Sequence, residues 1–142
     1  MIQFAFSSEL PESDILVSLG GGVLSLLRED FVELLPRTRI STRIIEMACL
    51  CKTLEERSCG RSGGLSWFFP PSVSDRANHC NEEQFMAKMR SYKILERYCI
   101  SELLYCSKIH VPIFNLTLNH FYLAVFNMEA KEIEIWDSIR GT

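Results

Sequence analysis

The last third of the chain contains three short segments that read as β-strands, and they constrain the fold more than any other feature. They cover residues 109–114, 120–127 and 131–137. The second is rich in aromatic and β-branched residues, which favour strands. It is also apolar on both faces, which is typical of a central strand. The third alternates charged and apolar residues, as a strand with one solvated face does. We therefore predict an α+β fold, in which helices pack on a sheet built from these strands.

The second and third segments should form an antiparallel hairpin, because the connection at residues 127–130 is short and mostly polar. The hairpin begins with His120 and ends with Asp137. A turn centred on Met128 and Glu129 places the two directly opposite each other, with Cβ atoms about 4.5–5.5 Å apart. A slip of one residue gives a better apolar match between the strands. The sequence therefore leaves the register open.

A histidine and an aspartate at facing strand positions are a candidate general base and its orienter for a nucleophile. Taken alone, His120 is equally compatible with a strand-end histidine bonded to backbone, and Asp137 with a turn residue. The functional interpretation predicts that the ring and the carboxylate lie on one face of the sheet, within hydrogen-bond distance.

Composition narrows the classes of function. With 142 residues, 47% of them hydrophobic, the chain can form one domain with a substantial core. A net charge of −3 argues against nucleic acid as the main partner. No apolar segment approaches the roughly 20 residues of a membrane span. The amino terminus lacks the features of a signal peptide, so we expect a nuclear or cytoplasmic protein that is not secreted.

The six cysteines do not form a pattern typical of disulfide or metal sites. Without a secretion signal, we expect most of them to be reduced, buried thiols. His79 and Cys80 near Cys59 could supply half a zinc site, but the paired ligand spacing is missing. We therefore expect no metal and no cofactor.

Four further elements are predicted before the three strands. They are two helices, a short buried strand and a mixed helical region, at residues 23–35, 43–56, 67–69 and 82–104. Pro36 ends the first helix, and Ser41 or Thr42 can cap the second. Residues 1–22 read as an N-terminal extension, which ends in a glycine triplet that forms a linker or turn.

The order of these elements resembles the ubiquitin-like-protein-specific cysteine proteases, the Ulp/SENP-type peptidases that process and deconjugate SUMO. The resemblance runs from about Leu24 to Ile139. It is most specific between residues 109 and 138, which follow the family pattern Val/Ile-Pro-Ile, His-Trp-x-Leu-x-Val-Ile and Ile-x-x-x-Asp-Ser. The resemblance implies a cysteine-proteinase-like fold, with residues 23–142 forming part of the protease domain. It also implies His120 as the base, Asp137 as its orienter, and a SUMO-type ubiquitin-like protein or its conjugates as the partner.

Three departures from the family pattern affect this interpretation. The oxyanion-stabilising Gln and the nucleophilic Cys of the family follow the Asp, whereas five residues follow Asp137 here. Phe121 stands where the family usually has Trp after the histidine. Arg39, Ser41 and Thr42 stand where the family has Trp, Asn and Asp, which touch the tail of the substrate. Such divergence is similar to that of the plant and transposon-associated branch of the family.

Two functions therefore remain open. One is a cysteine peptidase for ubiquitin-like proteins, present here as a domain truncated at its C-terminus. The other is a catalytically inactive relative that binds a ubiquitin-like protein. An upstream nucleophile of the papain type is disfavoured, because Cys49 and Cys51 lie past the first turn of the second predicted helix, where the helix dipole no longer lowers a thiol pKa.

Overall fold

The structure is a computed structural model, and it describes residues 11–19, 24–35, 39–59, 65–91, 103 and 105–139. The chain divides into two compact units, residues 1–48 and 49–142. The predicted boundary between residues 22 and 23 lies outside the described residues. In chain order the elements are β1 (Ile15–Leu19), β2 (Leu24–Leu27), α1 (Arg28–Val32), α2 (Thr42–Cys59), β3 (Leu65–Phe68), α3 (Pro71–Asn78), α4 (Glu82–Ser91), β4 (Cys106–Asn115), β5 (His120–Asn127) and β6 (Glu132–Trp136).

The first unit contains the antiparallel pair β1 and β2, followed directly by α1. The prediction of one helix over residues 23–35 is wrong for Leu24–Leu27, because these residues pair with β1. The helix begins only at Arg28, where the Asp30 carboxylate accepts the Leu27 backbone N–H at 2.7 Å and so caps the first turn. Asp30 is buried, and Arg43 forms an ion pair with it at 3.4 Å.

Helix α2 confirms the second predicted helix and extends it to Cys59. Ser41 is its cap, since the Ser41 hydroxyl accepts the Ile44 N–H at 3.5 Å. Thr53 is buried although it is polar, because its hydroxyl satisfies both backbone groups of Phe68. It accepts the Phe68 N–H at 3.1 Å and donates to the Phe68 carbonyl at 3.2 Å. This contact joins the second half of α2 to β3.

The second unit is built on a four-stranded mixed sheet in the order β3-β4-β5-β6. Strand β3 runs parallel to β4, and the other neighbours are antiparallel. The sheet of three C-terminal strands with β5 in the interior is therefore confirmed. Ala124 and Val125 of β5 are buried, as the apolarity of both faces predicts.

Helix α3 packs on β4 where β4 extends beyond the end of β3. The Phe69 N–H donates to the His110 carbonyl at 2.8 Å, at the end of β3. Two residues further on, Pro112 lacks an N–H, which suits a stretch of strand without a neighbour on that side. The Ser74 hydroxyl of α3 lies 2.8 Å from the carbonyl oxygens of both Pro112 and Pro71, so these two acceptors share its one donor hydrogen.

The remaining predictions concern the cysteines and the helical region before β4. Free thiols are found at five described positions, but only Cys49 and Cys106 are buried, so the prediction that most are buried is wrong. Cys99 lies outside the described residues, as do residues 92–102 and 104 of the predicted helical region. The helical prediction is confirmed for Glu82–Ser91. Over the described ranges, no helix is both long and apolar enough to cross a membrane.

Candidate active site

The turn between β4 and β5 determines where His120 begins its strand. The Asn115 side chain accepts the N–H groups of Thr117 and Leu118 at 3.0 and 3.1 Å, which holds the turn closed. Asn119 has a φ of 49°, in the left-handed region that asparagine tolerates better than most residues. The chain then enters β5, and His120 pairs with Asn115.

The turn between β5 and β6 shows that both predicted registers are wrong. Asn127 pairs with Glu132, so the loop has four residues, 128–131, rather than two or three. The Asn127 side chain accepts the Ala130 N–H at 3.1 Å, and Lys131 has a φ of 57°. These two local features lengthen the turn, and four-residue hairpin loops are common.

The observed register still places the predicted pair of side chains together. In the observed register Leu123 faces Trp136. This register is shifted by two residues from the predicted one in which His120 faces Asp137. Because side chains alternate with a period of two, a shift of two residues keeps both on the same face. His120 Nε2 and Asp137 Oδ1 are 2.8 Å apart, so the predicted hydrogen bond is present. It joins residues at diagonal positions on the two strands rather than residues that face each other directly.

The surroundings of Asp137 favour its ionised form. The pKa of Asp137 is lowered chiefly because the Ile139 backbone N–H donates to Oδ1 at 2.9 Å. Partial desolvation raises this pKa, whereas the hydrogen bond and the charge interaction with His120 lower it. A carboxylate can only accept, so Nε2 carries the hydrogen that it bonds. In the neutral ring of His120 the proton-accepting lone pair is therefore on Nδ1.

An open cleft of about 500 Å³ lies beside this pair, lined by Ile135, Trp136, Asp137 and Ser138. The Trp136 indole N–H donates to the Glu134 carboxylate at 3.0 Å, which orients the ring at the cleft. His120 and Asp137 both keep part of their side-chain surface exposed. The arrangement can thus accept a proton from a group that approaches Nδ1 and stabilise the imidazolium that forms.

The position of Cys49 and Cys51 in α2 does not activate either thiol through the helix dipole. Cys49 and Cys51 are the eighth and tenth residues of α2, well beyond its first turn. Over the described ranges, no three His, Cys, Asp or Glu side chains are arranged to hold a metal ion.

The mixed sheet flanked by helices is the fold of the Ulp1 cysteine protease. The C-terminal Ulp1 protease domain, solved in complex with Smt3, the yeast ortholog of SUMO, is similar over 99% of this chain and 55% of that chain, with a TM-score of 0.70 and 21% identity. The SUMO protease Ulp1 with its catalytic cysteine oxidised to a sulfinic acid gives a TM-score of 0.66 at 20% identity, over 99% and 54%.

The chain therefore spans about half the length of the solved structures that it matches. Neither a protein-family model nor a curated protein matches the sequence.

Two contributors to the site were not predicted from sequence. Asn119 sets the entry into β5, and an asparagine just before a β-like segment is a signal that could have identified it. The donor from Ile139 is a backbone group. Side-chain identity does not reveal such a donor, so no sequence signal was available.

Proposed function

We propose that this chain carries the base and the orienter of a cysteine peptidase for ubiquitin-like proteins, of the Ulp/SENP type and of its plant and transposon-associated branch. The observation that carries the proposal is the 2.8 Å hydrogen bond between His120 and Asp137. Its support is the fold, which is that of Ulp1, a protease solved with Smt3 bound. The substrate class is a SUMO-type protein or its conjugates.

In this proposal His120 acts as the general base. Its Nδ1 takes the proton from a cysteine thiol, and the thiolate attacks the carbonyl carbon of the scissile bond. Asp137 holds the Nε2–H and stabilises the imidazolium, which then protonates the leaving amine. A glutamine N–H stabilises the tetrahedral oxyanion, and loss of one such donor costs about 10²–10³ in rate. Because the family's Gln and Cys follow the Asp, these steps require a longer product that carries both residues downstream of Asp137.

The test is labelling by an activity-based probe, a ubiquitin-like C-terminal sequence bearing a thiol-reactive group. We expect the 142-residue chain to remain unlabelled and a longer product with the downstream Gln and Cys to be labelled at that Cys. In the longer product, His120→Ala should slow labelling by about 10²-fold or more, because it removes the general base. Asp137→Ala should slow it less, because the imidazole remains.

A second histidine–aspartate pair in the same chain provides a matched control. His79 Nδ1 lies 3.5 Å from the Asp75 carboxylate on the exposed side of α3. His79→Ala and Asp75→Ala should leave labelling unchanged. Labelling of the longer product that survives His120→Ala would refute the proposed base. Labelling of the 142-residue chain at Cys49 or Cys51, lost in His120→Ala, would instead support a papain-like order.

Labelling and the binding of a SUMO-type protein, measured together, distinguish the peptidase from its inactive alternative. If no longer product labels and the 142-residue chain still binds the protein, the chain is a binding relative of the peptidases. Isothermal titration calorimetry with the free SUMO-type protein measures this binding.

A further inference from the structure

The backbone of His120 is held by strand β4 and by the turn that precedes it, and not by β6, the strand that leads to Asp137. His120 is the first residue of β5 and pairs with Asn115, the last residue of β4. The described pairs between β5 and β6 begin only at Leu123 and Trp136. The position of the imidazole relative to Asp137 therefore depends on how the turn between β4 and β5 directs the chain into β5.

The carboxylate of Asp137 is fixed by its own segment. Its Oδ1 accepts the Ile139 backbone N–H at 2.9 Å, in addition to the His120 Nε2–H at 2.8 Å. The acceptor thus has a backbone partner that does not involve His120, and the histidine has to be brought to it. Functional groups of this kind must be held to within about 0.5 Å of the productive geometry.

The turn between β4 and β5, residues 116–119, is held at both ends. At its start, the Asn115 side chain accepts the N–H groups of Thr117 and Leu118 at 3.0 and 3.1 Å. At its end, the φ of Asn119 is 49°, which directs the chain into His120. Glycine adopts this left-handed conformation freely, asparagine tolerates it better than most residues, and a β-branched residue disfavours it most. These contacts all lie within residues 115–120, so a longer product should retain them.

We propose that Asn119 is a positioning residue for His120: its left-handed backbone, in a turn that the Asn115 side chain holds closed, aims the imidazole at Asp137. The inference rests on the proposed function, in which His120 is the general base. A residue with a negative φ at position 119 changes the direction in which the chain enters β5. The His120 side chain then leaves the strand at a different angle, and its Nε2–H no longer points at the carboxylate that orients the ring.

The first experiment follows the proton on His120 Nε2 by NMR, in the 142-residue chain labelled with nitrogen-15 histidine. A hydrogen bond to a carboxylate moves this signal downfield and slows the exchange of the proton with water. We expect both signatures in the parent chain and in Asn119→Gly, because glycine adopts a positive φ freely. In Asn119→Val the exchange should be about tenfold faster, because a β-branched side chain disfavours this backbone. The variant His120→Gln assigns the signal.

Matched variants separate the position of the ring from a general loss of stability. Leu118→Val places the same side chain one residue earlier, where φ is not positive, and should leave the exchange rate unchanged. Asn119→Ala is a milder change than Asn119→Val and should give an intermediate rate, so it serves as the test if the valine variant does not fold. Asn115→Ala removes the acceptor that closes the turn and should speed the exchange, whereas Asn115→Ser keeps an acceptor and should speed it less.

The second experiment measures probe labelling of the longer product. Asn119→Val should lower the maximal labelling rate about tenfold, because the base is aimed correctly in fewer molecules. The probe concentration that gives half of this rate should stay the same, because Asn119 acts through His120 and not on the probe. Asn119→Gly should label at the rate of the parent.

An unchanged ring-proton signal in Asn119→Val and Asn119→Ala would overturn the proposal. Its loss in Asn119→Gly would do so as well, because the side chain of Asn119 and not its backbone conformation would then be responsible. The ring proton is measured without a nucleophile, so the two proposals can fail separately. If the ring proton responds as expected and no longer product is labelled, the positioning role stands and the peptidase function fails.

Discussion

Strands β5 and β6 are neighbours in one hairpin, yet apolar side chains are buried in β5 and exposed in β6. In β5, Ala124 and Val125 are each 2% exposed, whereas Ile133 and Ile135 of β6 are more than half exposed. Both strands contain residues with a high β propensity. The difference lies in their neighbours: β5 has a strand on each side, and β6 has one only on its inner side among the described strands. Exposure in this hairpin therefore reflects position in the sheet more than residue type.

The largest expected effect is the difference in stability between truncating a valine in β5 and truncating an isoleucine in β6. Val125→Ala should lower the free energy of unfolding by about 2 kcal/mol, because it leaves a cavity in the core. Ile133→Ala should cost less than about 1 kcal/mol, because that side chain stays largely in water. Urea unfolding of the two variants and the parent chain measures both losses. Equal losses in the free energy of unfolding would show that the Ile133 side chain is covered in solution.

The second prediction concerns His110, which pairs with Val125 on the buried part of the sheet. Burial is the main cause that lowers the pKa of His110, with Lys108 contributing, whereas Glu56 and Glu134 raise it. The ring stacks on Phe68 with centroids 4.3 Å apart, and its buried Nδ1 has no hydrogen-bond partner in the part of the chain that the structure describes. The fold therefore favours the neutral ring.

The sign of the pH effect follows from this lowered pKa. As the pH falls through 6.5, the unfolded chain binds a proton at His110 before the folded chain does, so stability is lost towards acid. His110→Phe keeps the stacking and removes the unpaired nitrogen. It should raise stability at pH 7 by about 1 kcal/mol and reduce the loss between pH 7.5 and 5.5. Urea midpoints at both pH values measure this, with His79→Gln as a control at an exposed histidine. If His110→Phe loses as much stability between pH 7.5 and 5.5 as the parent chain does, the prediction is wrong.

The smallest effect concerns Asp137, just beyond the exposed strand β6. Its pKa lies below the ordinary 3.8, with the Ile139 N–H as the largest cause. The stability that the ionised carboxylate contributes is therefore present above pH 3.8 and is lost as the pH falls through the lower folded value. Ile139→Pro removes the N–H and should move the titration midpoint of Asp137 towards 3.8. Carbon-13 NMR of the side-chain carboxyl group measures this midpoint.

Ile139→Ala is the control for this titration, because it keeps the backbone N–H and changes only an exposed side chain. Its midpoint should match that of the parent chain. If both variants move the midpoint equally, the backbone hydrogen bond is not the main cause of the low pKa.

The hairpin and the first half of the chain show how far the sequence could predict this structure. The three C-terminal strands were predicted because the alternation of side chains along a strand can be recognised in the sequence. The proximity of His120 and Asp137, which the structure shows, was predicted from only one of the two registers left open. The register was not, since it depends on the Asn127 hydrogen bond and on the left-handed Lys131. Leu24–Leu27 was predicted to be helical because its leucines fit either period, and only the pairing with β1 decides between them.

The sequence by itself determined the three C-terminal strands of the sheet and the positions of His120 and Asp137 along their hairpin, whereas the register decided that the two side chains share a face. The physical reason is that side-chain alternation along a strand is local, so a shift of two residues in register leaves it unchanged. Only the tertiary structure decided which edge of the sheet is covered and which backbone groups reach Asp137. Every strand carries hydrogen-bonding groups along both edges, and only its position in the assembled sheet determines whether one or both are paired.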